Sequence, residues 1–224
     1  MFPSMAGTRP AAFFDLDGTL ITANSGGLWM KRERRLGRIS FRQLVEGTIY
    51  LVAYRFRALD MERVTVKALE TVKGEREQAV RQWTRAWFYD EVVPFEAPGA
   101  RPAIEHHRGR GEPVVLLTSA SLYESEAAVE HFGLDDLLCT RYEVRDGLFT
   151  GDIVRPLCYG AGKIAHAERY AAAHDVDIDR STFYTDSFTD LPMLRRVGQP
   201  RVVNPDLRLR LTALREGWPV LDWR

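Results

Sequence analysis

Two aspartates, Asp15 and Asp17, stand one residue apart at the end of a short apolar run in FFDLDGTL (13–20). Carboxylates converging there repel each other unless a cation lies between them or a proton is shared. A second pair, Asp186 and Asp190, stands four residues apart in STFYTDSFTDLPML and shares one face if a helix begins between them. An all-oxygen set of several carboxylates favours magnesium, which keeps waters and often completes its shell with a substrate phosphate. The same groups can do acid–base work. Two further segments suit an anion. PVVLLTSASLYES ends an apolar run on Thr118, with Ser119 beside it, then sets Ser121 and Glu124 at capping-box spacing before a helical pattern. GAGKIAHAERY places Lys163 behind two glycines at another helix start. Helix N–H groups, a hydroxyl and an ammonium together can hold a phosphoryl group.

These residues need elements that bring them together. AAFF (11–14), PVVLL (113–117) and STFYT (181–185) read as short buried parallel strands, RVVN (201–204) is similar, and PVLDW (219–223) reads as a terminal strand. Helical patterns at 121–132, 162–174, 189–197 and 205–216 alternate with them, as in an α/β parallel sheet. Ligands of such sheets sit beyond the carboxyl ends of the strands, where Asp15, Thr118 and Asp186 all fall. Residues 25–94 break the alternation and read as helix almost throughout, with Gly37, Gly47 and Gly74 as interruptions and no convincing strand. PFEAPGARP (94–102) reads as the loop re-entering the sheet. The expected organisation is a core of 1–24 and 95–224, with a helical insert, 25–94, capping the sheet's carboxyl edge. CTRYEVRDGLFTGDIV (139–154) reads as a hairpin turning at Asp146-Gly147.

Composition narrows the function classes. With 224 residues, 45% apolar and 28% charged, the chain is long enough for a core and too apolar for disorder. A net charge of zero gives no global attraction to nucleic acid, although 25–94 holds 14 Lys or Arg against 9 Asp or Glu. Two cysteines, Cys139 and Cys158, are too few for a disulfide scaffold and suit a reduced cytoplasmic setting. The opening residues carry no apolar stretch of signal-peptide length and are expected to be loose. The most apolar run, LVEGTIYLVAYRF (44–56), contains Glu46 and is shorter than the ~20 residues of a spanning helix, so no stable membrane insertion is expected.

The order of these motifs carries a resemblance. DLDGT, a Thr after a second strand, a Lys, and an Asp followed four residues on by another resemble the haloacid dehalogenase superfamily. The helical insert directly after the first motif is similar to its phosphatases with a type-1 cap, in the phosphoserine phosphatase-like subgroup (subfamily IB). The motifs span 15–190, and the tail VGQPRVVNPDLRLRLTALREGWPVL is also similar to that subgroup. The resemblance implies a Rossmann-like parallel sheet core with helices on both faces, an all-helical cap after the first strand, and a magnesium-dependent phosphomonoesterase. It implies Asp15 as a nucleophile forming an aspartyl-phosphate, and Asp17 as general acid and base. Thr118, Lys163, Gly18 and Ser119 would then border the phosphoryl group. The metal would be held by Asp15, the Asp17 carbonyl and Asp186, with Asp190 in support. Those phosphatases usually read DxDST and keep an acid a few residues on to grip a substrate amine; here Gly18 and Asn24 occupy those positions. Their fourth motif reads GDGxND, against Thr185-Asp186-Ser187-Phe188-Thr189-Asp190 here. Serine phosphate therefore carries over less well than the chemistry, and a small phosphorylated metabolite is the expected substrate.

Each motif has an ordinary explanation when taken singly: a capping aspartate at 15, 17 or 190, a strand-end hydroxyl at 118, a solvated lysine at 163. Their order decides for the site. His106, His107, His131, His166 and His174 show no ligand spacing and read as surface or packing residues. The insert's aromatics (Trp29, Phe41, Tyr50, Tyr54, Phe56, Trp83, Trp87, Phe88, Tyr89) are expected to form mainly its own core, and KRERRLGR (31–38) a solvated helix face. A lipid headgroup phosphate such as phosphatidylglycerophosphate is the alternative substrate, and a non-catalytic phosphate-binding module the remaining one. Oligomeric state does not follow from the sequence.

Overall fold

The computed structural model describes residues 9–40, 61–70 and 72–223. Its strands are β1 (Ala12–Phe14), β2 (Val114–Ser121), β3 (Asp136–Arg145), β4 (Leu148–Val154), β5 (Thr182–Thr185), β6 (Gln199–Val203) and β7 (Val220–Leu221). They form one sheet in the order β4-β3-β2-β1-β5-β6-β7, parallel except where β4 runs antiparallel to β3. The short β1 lies centrally, with Phe14 opposite Leu116 on one side and Tyr184 on the other. Its carboxyl end therefore opens between those of β2 and β5, where the motif residues lie.

The helices are α1 (Ser25–Arg35), α2 (Met61–Leu69), α3 (Glu77–Trp87), α4 (Ala100–Arg108), α5 (Leu122–Phe132), α6 (Gly162–His174), α7 (Leu191–Arg196) and α8 (Leu207–Glu216). Side chains alternate across a strand, so β1 feeds two cores. Ala12 and Phe14 join Leu116 and Tyr184 beneath Ile104 of α4 and Ala127, Ala128 and Phe132 of α5. Ala11 and Phe13 join Val115, Leu117 and Phe183 beneath Ala167 and Tyr170 of α6, Met193 of α7 and Leu209 of α8. Both faces are covered, which is why the strands read as continuous apolar runs rather than alternating ones.

Most elements lie within a few residues of the sequence expectation, and the differences have physical causes. The hairpin turns at Asp146 and Gly147, both with positive φ, as a tight two-residue turn requires. Its first strand begins earlier than expected, because Asp136–Leu138 first pair in parallel with Val115–Leu117. The re-entry loop stops at Gly99, and helix α4 starts at Ala100 with Pro102 in its first turn, where a missing N–H costs nothing. Helices make up most of the described part of 25–94, with turns after α1 and before α3 and an antiparallel bridge from Arg76 to Leu148 of β4. Gly47, Phe41, Tyr50, Tyr54, Phe56 and the apolar run 44–56 lie outside the described residues. Trp87 and Phe88 pack with Phe14, Leu16 and Ala128 in the sheet core, so these two aromatics serve more than the insert. Helix α3 also lies on α5 through Arg81–Glu126 and Arg85–Glu130 ion pairs. No helix among the described residues is long and apolar enough to cross a membrane.

The histidines find structural partners. His107 is buried, with Nδ1 2.5 Å from Glu112 and Nε2 2.9 Å from the Tyr184 hydroxyl. Burial holds its pKa below the usual histidine value, against the pull of Glu112. Arg110 closes the other side of Glu112 at 2.6 Å. His131 meets Glu96 at 2.7 Å, and His166 lies 2.9 Å from the Pro156 carbonyl. Replacing Glu112 by Ala strands the buried His107, and a loss of about 1–3 kcal/mol in urea unfolding is expected. An unchanged midpoint and slope would mean that this network contributes nothing to stability.

Candidate active site

Each motif reaches the sheet's carboxyl edge on its own element. β1 delivers Asp15, whose N–H donates to the Tyr184 carbonyl at 2.9 Å. The chain then turns tightly through Asp17 and Gly18. Gly18 has φ +69, and a Cβ there would fall 2.3 Å from Asp186 Oδ2. Backbone conformation and proximity thus both demand glycine, and the absent side chain lets the loop after β5 approach the loop after β1. On β2, pairing with β3 lapses between Leu117 and Ser121, which takes Thr118 and Ser119 out of the regular ladder. Thr118 is buried and its Oγ1 accepts the Ala120 N–H at 3.2 Å; Ser119 lies half-buried beside it.

Lys163, in the first turn of α6, is the electrostatic centre. Its Nζ lies 3.0 Å from Asp15 Oδ1 and 2.7 Å from Asp190 Oδ2, and Lys163 and Asp190 are only 2% and 1% exposed. Asp190 also accepts the Thr185 hydroxyl at 2.8 Å. Of the four aspartates expected to converge, Asp190 is therefore turned to the lysine and to β5. Burial pushes the Asp15 carboxyl up to about 7, Lys163 opposes the rise, and Asp190 and Asp17 add to it.

Asp17 is held by the residues at the start of α1. Its Oδ1 accepts the Ser25 N–H at 3.0 Å and its Oδ2 the Asn24 Nδ2 at 3.1 Å. Asn24 is at the same time the N-cap of α1, its Oδ1 accepting the Gly27 N–H at 2.9 Å. The position expected to face substrate therefore orients Asp17 and starts the helix, two tasks that an amide performs with its two ends.

Glu124, read from the sequence only as part of a capping box, is a buried acid beside Asp17. Half of the expected capping box forms, since Ser121 Oγ accepts the Glu124 N–H at 3.3 Å. The Glu124 carboxyl turns instead toward Ser25 and Asp17, where burial and the Asp17 charge raise its pKa to about 8. Its glutamate type, three residues after a cap, was the available signal, but spacing alone does not show which way the side chain turns. Cys139 and Cys158 are buried thiols whose pKa is raised by that burial.

No group of three or more His, Cys, Asp or Glu side chains is gathered closely enough to ligate a metal among the described residues. Magnesium does not require one, since it is commonly held by one or two carboxylates with waters and phosphate. Asp15, pushed toward protonation by burial and further by Asp190 and Asp17, and Asp186, packed against the Gly18 backbone, make a donor chemistry that fits such an ion.

Comparison with known proteins places this arrangement. The family model of the haloacid dehalogenase-like hydrolases matches residues 12–195. A protein from Streptomyces azureus named for inhibition of morphological differentiation is 34% identical over 219 residues, 96% of this chain and 79% of its own. A phosphoserine phosphatase from Mycobacterium tuberculosis is 34% identical over 223 residues, 96% of this chain and 71% of its own. A crystal structure of a Bordetella pertussis protein of unknown function superposes with a TM-score of 0.85 at 27% identity, covering 97% of this chain and all of that one. A phosphoserine phosphatase in a phospho-aspartyl intermediate analogue form shares the fold, with a TM-score of 0.70 at 18% identity over 97% of this chain and 94% of that one. With the motifs, the sheet and the relatives in agreement, the chain belongs to the haloacid dehalogenase-like hydrolase family.

Proposed function

We propose that the protein is a magnesium-dependent phosphomonoesterase acting on a small phosphorylated metabolite through an aspartyl-phosphate. The observation that carries this reading is the contact of the buried Lys163 with the Asp15 carboxylate, two residues before an Asp17 clamped by separate donors. A nucleophile held by an ammonium and an acid held by neutral donors have different environments, and so different tasks.

In the first step an Asp15 carboxylate oxygen attacks phosphorus. The bond from phosphorus to the substrate's bridging oxygen breaks, and Asp17 gives that oxygen its proton. In the second step Asp17 takes a proton from water, the water oxygen attacks phosphorus, and the bond to Asp15 breaks, returning the carboxylate. Splitting the displacement in two lowers each barrier. Thr118 and Lys163 hold the phosphoryl oxygens, with Ser119 and Gly18 alongside. Asp190 keeps Lys163 in place, and the Asn24–Ser25 clamp keeps Asp17 aimed. Asp15, Asp186 and the Asp17 carbonyl would hold the magnesium, which when bound supplies Lewis-acid polarisation of the phosphoryl oxygens. Residues 25–94 act as the cap over this edge, and 1–24 with 95–224 as the catalytic core.

Asp15→Asn is expected to cut magnesium-dependent phosphate release from a panel of phosphomonoesters by at least about a thousandfold, with an unchanged circular-dichroism spectrum. Residual activity of a tenth or more would remove Asp15 from the nucleophile's role. Asn24→Asp keeps a good N-cap but replaces the donor to Asp17 by a like charge. Its melting temperature should stay near wild type while kcat falls by about tenfold or more. Undiminished kcat would show that the clamp does not matter.

The raised Asp15 value also makes a pH prediction. Between the ordinary carboxylate value and about 7, the unfolded chain has lost this proton and the folded one keeps it. Stability from this group therefore falls as pH rises through that window. A cation on the ionised carboxylate counters the loss, so magnesium should raise the melting temperature more at pH 8 than at pH 5.5. Equal shifts at both values would place the ion away from Asp15.

A further inference from the structure

Helix α8 is covered on one side only. Leu209 and Ala213 turn inward and are buried in the core with Val202 and Met193. Leu207, Leu211 and Leu214 turn the other way and are 73%, 46% and 68% exposed. Their spacing sets them in one stripe along the helix, opposite the buried pair. Arg210 borders the stripe on one side and Arg215 on the other. Both are exposed, and neither makes an ion pair among the described residues. The other strongly exposed apolar side chains are scattered: Leu36 after α1, Trp83 on α3, Phe95 in the linker, and Leu148 and Val154 at the two ends of β4. Apolar groups exposed singly need no explanation, whereas three aligned on one short helix mark an interaction surface.

Charge decides what covers it. Residues 195–216 hold six arginines against one aspartate and one glutamate, in a chain whose net charge is zero. Glu216 is paired with Arg195 at 2.7 Å, and Asp206 caps α8 by accepting the Leu209 N–H at 2.8 Å. The border of the stripe is therefore basic. A second copy of the chain fits it poorly. Laid antiparallel with the leucines in register, each Arg210 stands beside its counterpart; laid parallel, Arg210 meets Arg208 and Arg215. Like charges apposed across an interface oppose association. Nucleic acid offers phosphates to the arginines but no apolar phase to the leucines. An anionic bilayer suits both groups at once, with the leucines at the acyl boundary and the arginines among the headgroups.

We propose that the outer face of α8 is a docking surface for an anionic membrane, on which the protein lies peripherally. The helix rests in the plane of the interface and does not cross it, as suits an element of ten residues. It runs back from the carboxyl end of β6 along one face of the sheet, so the catalytic edge opens along the bilayer rather than into it. Its first turn touches the site loop, where the Arg208 guanidinium carbon lies 3.8 Å from the ring centre of Phe188, between Asp186 and Asp190. Nothing in this docking depends on the phosphoryl chemistry.

The test sediments the full chain with vesicles of phosphatidylcholine alone and with vesicles containing about one-third phosphatidylglycerol. Wild type should bind the anionic vesicles at least about tenfold more tightly than the neutral ones, and added salt should release it. Leu207→Glu combined with Leu214→Glu should weaken binding to the anionic vesicles at least about tenfold, with an unchanged melting temperature. Should that variant not fold, Arg210→Glu combined with Arg215→Glu, which leaves the leucines in place, should lose a similar factor. Leu36→Glu, at an exposed leucine outside α8, should bind as wild type does. Absence of binding, equal binding to the two kinds of vesicle, full binding by the α8 variants, or an equal loss with Leu36→Glu would each overturn the proposal. Light scattering without lipid covers the rival occupant: the leucine variant should keep the oligomeric state of wild type. A wild-type dimer that this variant splits into monomers would assign the stripe to a second copy instead.

Discussion

The buried ion pair system of Lys163 with Asp15 and Asp190 is the constraint on which the rest of the site depends. Three charged groups leave water together, so each is tolerable only while the others are in place. Lys163 comes from α6, Asp15 from β1 and Asp190 from the turn before α7, and their contacts tie three separate segments at one point. Removing one partner of such a buried set typically costs about 3–5 kcal/mol, because a charge is left uncompensated. The arrangement is therefore rigid, and it still leaves an excess of negative charge around Asp15. An excess of that sign at a phosphate-handling edge suits a divalent cation better than another lysine would.

The sheet makes this meeting possible. β1 is only three residues long and is central, so the chain leaves it between β2 and β5 at the place where their ends diverge. Asp15, Asp17, Asp186 and Asp190 follow the ends of β1 and β5, Thr118 and Ser119 lie in the last residues of β2, and Lys163 stands in the first turn of α6. Gly18 is the point where two of these loops come closest. A side chain there would collide with the Asp186 carboxylate, so the backbone itself forms part of the wall.

The junction of core and insert positions Asp17. Asn24 and Ser25, at that junction, donate to both oxygens of Asp17, so the start of α1 and the orientation of Asp17 are one structural event. Farther along, α3 continues through a π-helical turn, Phe88–Val92, and sends Trp87 and Phe88 into the core shared with β1 and α5. The orientation of Asp17 and the start of α1 are thus coupled through the same short stretch of backbone.

The sequence by itself determined the fold class and singled out the aspartates, Thr118 and Lys163 as candidates for the site. Buried parallel strands need apolar runs, and a phosphate edge needs oxygen and ammonium groups at their ends, so both are legible as composition and order. Tertiary structure alone decided which way the polar side chains turn. Asp190 faces Lys163 rather than joining Asp15, and Asn24 spends both ends of its amide on Asp17 and α1. Glu124 leaves its capping box for the catalytic edge, and His107 is buried between Glu112 and Tyr184. Asp136–Leu138 became a parallel strand because β2 offered an edge, which local patterning could not show. The reason is common to all of these. A polar side chain takes its direction from whichever partner the fold brings within hydrogen-bond reach, and such a partner can be far off in sequence, as Asp15 is 148 residues from Lys163.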